Sequence, residues 1–391
     1  MTSKIEAPAT PSVLQWARET LGFNLMEAAQ KARVKHNLLA SWESGEQKPT
    51  IAQLRRLSET YKRPLATFFL PAAPQDSRPP KDFRRLSETE PRPLSTCLRL
   101  EIRRCELRQS FVAESTNKPP AKLRKILSAA TLNDSAEQVA QRIRAVLSVS
   151  MSQQKRWRAP NIAMRNWIDT VESAGFLVFQ ASRVDIAEMR GVSFYDTSAP
   201  AILLNSADSP HGRIFTLMHE LCHLVLGNVG LCDYSEPEEL SSPEKRTEVF
   251  CNQFAASLLV PIDVFTAHPS VNIAQHSFDW SDQELKSLSR DFSVSTEVIL
   301  RRLLTIGRTS PSFYQAKRSD FLEGARQYRK SLQSDKGGPP WHRRVIASNG
   351  RRFTRMVLNA YDEEAITGSD VSEYLGTKLT HLPAIEHEVL A

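Results

Sequence analysis

Cysteine is scarce in this sequence. There are five in 391 residues, Cys97, Cys105, Cys222, Cys232 and Cys251, an odd number at irregular spacing. That pattern argues against a disulfide framework and for reduced thiols. Long apolar runs are also missing. Ala255–Ile262, itself broken by Ser257, is among the longest, far short of the roughly 20 residues a membrane helix needs. The opening MTSKIEAPATPS lacks the basic-then-apolar order of a signal peptide. Nor does one sign of charge dominate. The net charge of +7 permits contact with nucleic acid without requiring it, and a solvated basic face explains it equally well. We therefore expect a soluble cytoplasmic protein of two or three domains with no membrane partner.

What is present centres on Phe215–Gly227, FTLMHELCHLVLG, which contains the H-E-x-x-H pattern His219-Glu220-Leu221-Cys222-His223. On a helix, residues four apart are separated by about 40°, so both histidines point the same way with Glu220 beside them. Two neutral imidazoles suit a zinc ion, and the carboxylate can deprotonate a water activated there. The alternative is a core helix with satisfied histidines. The apolar flanks Phe215, Leu217, Met218, Leu221, Leu224, Val225 and Leu226 make burial of three polar groups expensive without a purpose. A catalytic zinc needs a third protein ligand. The stretch SSPEKRTEVFCNQFAASLLVP opens at Ser241 with capping-box spacing and places Glu248 among Val249, Phe250, Phe254 and Leu258. Glu248 as ligand, with Asn252 one turn on as its support, resolves the cost of that buried acid. Glu244 is the rival carboxylate, and Cys222 or Cys232 the rival soft ligand. His211, His268, Tyr195 and Tyr314 stand as unranked candidates for proton transfer or oxyanion stabilisation.

Residues 12–70 read as four short helices and a terminal segment, with turns at Gly22 and Gly45. Strands are expected at Phe176–Gln180, Val192–Tyr195 and Pro200–Asn205. The last is read as an edge that could hold an extended peptide. Ser135, Ser209 and Ser281 mark helix starts. Residues 71–92 carry a cluster of prolines and charges and read as a linker.

The N-terminal segment resembles the Cro/repressor (Xre) helix-turn-helix family through Ala28-Ala29, Val34, the corner Trp42-Glu43-x-Gly45, Pro49-Thr50 and Leu54. That resemblance implies double-stranded DNA as a partner, with Lys35, His36, Asn37 and Ser41 facing bases and Arg33, Lys35 and Lys48 near phosphates. It departs at Leu25-Met26, where the family often has Gln or Thr. The strings RGVSFYDTSAPAILLNSADSPHGRIFTLMHELCHLVLG and RTEVFCNQFAASLLVP resemble the ImmA/IrrE family of bacterial metallopeptidases, and Asp82-Phe83-Arg84 fits the subclass fused to an Xre domain. This implies zinc, with manganese able to substitute, held by His219, His223 and Glu248, and Glu220 as the group that activates water. It also implies endoproteolysis of a repressor or antitoxin protein in stress- or phage-related control. A regulator whose metallopeptidase-like domain binds a partner or senses metal without cleavage is the alternative.

The expected fold is mainly α with a small α+β zincin-like domain, an all-α N-terminal domain and a helical C-terminal region. The expected boundaries are 1–71 for the helix-turn-helix, 72–158 for linker and connector, 159–265 for the peptidase core, 266–320 for a second helix-turn-helix-like unit and 321–391 for the C-terminal helices. A homodimer is compatible with this plan.

Overall fold

A computed structural model of the chain describes residues 6–390 apart from 75–93, 117, 228–230, 233–242, 274–278 and 322–339. The linker with Asp82-Phe83-Arg84 and the start Ser241-Ser242 lie outside the described residues. The described chain divides into two compact units, one through residue 74 together with 94–103, the other from 104 onward. Both are built mostly of helices, and no described helix is long and apolar enough to cross a membrane.

The first unit holds α1 (Pro11–Glu19), α2 (Leu25–Ala32), α3 (His36–Ser44), α4 (Ile51–Tyr61), a 3-10 turn (Leu65–Phe69) and the start of α5 (Thr96–Ser115). Asn24 caps α2, its side chain accepting from Glu27 N while Glu27 accepts from Asn24 N, both at 2.9 Å. This box does the work expected of the Gln or Thr that the segment lacks. Thr50 and Gln53 close the same box on α4. Gly45 ends α3 at φ 82°, a left-handed position that favours glycine. Val13, Leu14, Ala17, Ala28, Ala29, Leu39, Trp42, Leu54 and Leu57 form the core.

In the second unit α6 (Ala121–Ile126), α7 (Ala136–Leu147), α8 (Met151–Arg156) and α9 (Pro160–Ser173) lead into β1 (Leu177–Ala181), β2 (Gly191–Phe194) and β3 (Ala201–Asn205). Next come α10 (Pro210–Val225), a two-residue β4 (Leu231–Cys232) and α11 (Pro243–Leu259). The sheet order is β1-β3-β2-β4, parallel between β1 and β3 and antiparallel elsewhere. β3 is thus interior, which corrects the expectation of an edge at Pro200–Asn205. A continuous apolar run marks a strand covered on both faces, and β3 is buried at all five positions. Ser135 starts α7 without a side-chain cap bond, also against expectation, whereas Ser209 and Ser281 do cap their helices.

Helices α12 (Ile262–Thr266), α13 (Pro269–Ile273), α14 (Asp282–Phe292), α15 (Thr296–Thr305) and α16 (311–321) follow. After them α17 (Trp341–Asn349), α18 (Arg351–Asp362), α19 (Gly368–Leu375) and α20 (Leu382–Leu390) close the chain. α10 packs on β2 and β3, and α17 packs on β1.

Candidate metal centre

Ser209 accepts from Gly212 N at 3.1 Å and Pro210 fills the first turn, so α10 starts on a firm cap. Gly227, at φ 72°, takes the left-handed position just past its end. Every α10 residue from Ile214 to Val225 is buried. Within this apolar cylinder His219 and Glu220 are fully buried and His223 nearly so. α11 lies alongside and brings in Glu248 and Asn252, each 8% exposed. The small residues Ala255 and Ala256 of α11 are themselves buried.

Three side chains meet. His219 Nε2 and His223 Nε2 are 3.3 Å apart. Glu248 reaches His219 Nε2 with Oε2 at 3.2 Å and His223 Nε2 with Oε1 at 3.4 Å. A tetrahedral ion with bonds near 2.0–2.1 Å would hold its ligand atoms about 3.3–3.4 Å apart. The two imidazole nitrogens stand at that separation, and one oxygen of Glu248 stands at a like distance from each of them, so the donor set fits zinc on distance as well as chemistry. Cys251 also lies with the pair, its ligand atom and those of His219 and His223 all within 4.8 Å of one another. Glu248 has a carboxylate oxygen within 3.4 Å of each imidazole nitrogen and is the harder, charged donor. The rival soft ligand to weigh is therefore Cys251 rather than Cys222. The side chains of Cys232 and Glu244 lie outside the described residues.

Asn252 Oδ1 lies 3.1 Å from His219 Nδ1. An amide oxygen only accepts, so Nδ1 carries the proton and Nε2 presents its lone pair to the cluster. Burial holds His223 down to about 4, with Glu248 opposing and His219 adding to the effect, so its imidazole is neutral. For His219 burial also disfavours the charged ring. The bond to Glu248 and the charges of Glu248 and Glu220 outweigh that, and its pKa ends above the ordinary value.

Gly191 sets the space around Glu220. A Cβ added there would stand 2.4 Å from Thr216 Cγ2 and 2.9 Å from Glu220 Oε1. Only a glycine lets the β2 backbone come this close to the motif carboxylate. The sequence marks Arg190-Gly191 as the start of a strand but carries no signal for this contact.

Tyr195 Oη is 3.0 Å from Ser128 Oγ. His268 Nε2 is 3.4 Å from Asp291. Tyr314 is buried beneath the Arg301 guanidinium. His211 has its pKa lowered by burial.

In the N-terminal unit Lys35, His36 and Asn37 are exposed around the start of α3. Ser41 is not among them. It is 9% exposed, and its hydroxyl donates to Leu38 O at 2.9 Å. Burial and this bond within α3 tell against its assignment as a base contact. Arg33 and Lys48 are exposed. Glu43, from the Trp42-Glu43-x-Gly45 corner, is spent on Arg18, which grips it at 2.8–3.1 Å and donates to Phe23 O at 2.9 Å. That corner is a structural lock between α1 and α3.

Residues 172–304 match a peptidase family described as the IrrE N-terminal-like domain, and residues 14–68 match a helix-turn-helix family. The first match contains His219, Glu220, His223 and Glu248; the second contains all of α2, α3 and α4. No curated protein matches the chain. The chain thus joins a helix-turn-helix domain to an IrrE N-terminal-like domain.

Proposed function

We propose that this chain is a DNA-binding, zinc-dependent endopeptidase that cleaves a partner repressor or antitoxin protein. The observation that carries the reading is the triangle of His219 Nε2, His223 Nε2 and Glu248 carboxylate at 3.2–3.4 Å, with Glu220 one residue from the first of them. His219, His223 and Glu248 would hold the ion, and manganese could take its place. Bound zinc would supply Lewis-acid activation of water and of the scissile carbonyl. Glu220 takes the proton from the attacking water on its carboxylate and passes it to the leaving amine. Asn252 holds the His219 ring so that Nε2 stays a donor to the ion. Gly191 leaves the room in which Glu220 works. Catalysis belongs to residues 159–265, with 266–320 and 321–391 as helical support. Residues 1–71 would bring the enzyme to an operator through Lys35, His36 and Asn37, with 72–158 as connector. The setting is stress- or phage-related control.

The test uses purified full-length protein, zinc or manganese, and the repressor encoded beside its gene. Wild type should yield two repressor fragments, and Glu220→Gln should leave it intact. Intact repressor with both proteins, across metals, would refute the cleavage. The complete burial of His219 and Glu220 favours a second reading, a regulator whose closed metal site senses zinc. One equivalent of bound zinc that is lost in His223→Ala, with DNA binding unchanged in that variant and no cleavage of the repressor, would favour it.

A further inference from the structure

The first unit carries a groove that neither the metal centre nor the start of α3 uses. Its volume is about 690 Å³, within the range of small-ligand sites. The ends of α2 and α4 form two walls and the start of α5 the third. Hydrogen bonds fix the third wall in place. Thr96 Oγ1 donates to Leu21 O at 3.2 Å, and Arg103 donates to Tyr61 O at 3.2 Å and to Lys62 O at 2.5 Å. The groove is therefore built without a ligand. Phe23, Ala32 and Leu100 give it an apolar lining.

Its charge is one-sided. Among the described residues Lys31, Arg33, Arg56 and Lys62 line it against one acid, Glu59. All four cations are exposed, and none of them is in an ion pair. Lys31 Nζ stands instead 5.3 Å from the centre of the Phe23 ring. Arg18 of the same unit is the contrast, since Glu43 neutralises it at 2.8 Å. Arg33 and Lys62 end α2 and α4 in the left-handed conformation, at φ 54° and 51°. Glycine takes that conformation more readily, yet both helix ends place a long cation beside the one groove. Four unpaired cations around a cavity concentrate anions there. Two guanidinium forks match the oxygens of a phosphate group, and the two ammonium groups add point charges.

We infer that this groove binds a small phosphorylated compound with two or more negative charges, its apolar part resting on Phe23, Ala32 and Leu100. The inference does not depend on peptidase activity. Duplex DNA is another source of phosphate, but its charges run in line along a convex backbone. A walled cavity with an apolar lining suits the free compound, and Lys35, His36 and Asn37 do not line it.

The probe is inorganic pyrophosphate, titrated calorimetrically into the full-length protein at about 0.15 M ionic strength, where contacts beyond about 8 Å are screened. The expected result is one saturable site per chain. Arg56→Ala and Lys62→Ala should each weaken it about 10-fold or more, as loss of a charge-assisted bond does. Both side chains are exposed, so both variants should melt with wild type. His223→Ala should bind pyrophosphate as wild type does, which separates the groove from the metal centre. A parallel titration with a labelled DNA duplex separates the two sources of phosphate, and the Arg56 and Lys62 variants should keep their duplex affinity. No saturable binding of pyrophosphate, binding unchanged by both alanines, or binding lost in His223→Ala would overturn the inference. So would alanines that weaken the duplex and leave pyrophosphate unchanged, which would assign the groove to the DNA backbone.

Discussion

Helix α11 carries buried polar groups on two opposite faces, and they differ in what completes them. On one face Ser257 donates to Glu137 Oε2 at 2.7 Å, and Arg302 grips Glu137 at 2.9 and 3.1 Å. Ile262 N adds a bond at 3.3 Å. Cation and anion are both supplied by the chain, from α15 and α7, and the cluster is closed. On the other face, half a helix turn round, Glu248 meets two imidazoles whose nitrogens point at one another at 3.3 Å. There the donors to a cation converge. Residues about two and a half turns apart on one helix thus separate a strut from a site. The half-buried ion pair holds three helices, whereas the acceptor cluster is arranged for something from outside.

The strongest way to break this contrast is to remove the internal cation. Arg302→Met is expected to lower the stability of the metal-free protein by about 1–3 kcal/mol, because Glu137, whose side chain is 23% exposed, loses its cation. Changing Glu137→Leu as well should restore much of it. Urea unfolding of the single and double variants reads both effects. Glu248→Gln should cost far less in the same metal-free assay, and an equal loss would erase the distinction between strut and site.

Another buried carboxylate sharpens the comparison through pH. Glu172 on α9 is 4% exposed, accepts from Arg352 N at 3.2 Å, and is pushed up to about 8, chiefly by burial, with the Arg352 bond pulling the other way. Its folded pKa lies above the ordinary 4.5, so the folded state holds the proton more tightly. Its contribution is complete below about pH 4.5 and is lost as pH rises through about 8. Over that window the loss should reach a few kcal/mol. Glu172→Gln should flatten the dependence of unfolding free energy on pH between about 5 and 8. A slope equal to that of wild type would contradict the assignment.

The cluster on the other face should respond to metal rather than to pH. Zinc at about 100 times its Kd should stabilise wild type by about 2.7 kcal/mol. His223→Ala should abolish that gain in a thermal melt. Smallest is the effect of the supporting amide. Asn252→Ala should weaken zinc about 10–100-fold without removing it, as competition with a chelator would measure.

The sequence makes these two faces unequally legible. His219, Glu220 and His223 are readable because helical spacing alone turns them to one side. Glu248 is readable because an acid stands amid apolar neighbours on a helix with a clear stop at Pro261. The Arg302–Glu137 pair is not, since its members lie far apart in sequence and each looks like a surface charge on an amphipathic helix. The same holds for Arg18 and Glu43, where a family-marking glutamate turns out to bind α1. An apolar run of five does not reveal how many neighbours a strand has, so β3 is not recognisable as interior. Helix-turn-helix position does not reveal the burial of Ser41, and Gly191 is explained only by the packing of β2 on Glu220. Local periodicity sets the helices, while strand order and buried ion pairs are settled only by contacts across the fold.

The central claim is that His219, His223 and Glu248 hold an ion for which Glu220 does the chemistry. One preparation tests it most directly: Glu220→Gln, assayed for zinc content and for repressor cleavage together. The account predicts one equivalent of zinc, as in wild type, with cleavage lost. Zinc retained with cleavage unchanged, or zinc lost along with Glu220, would contradict it.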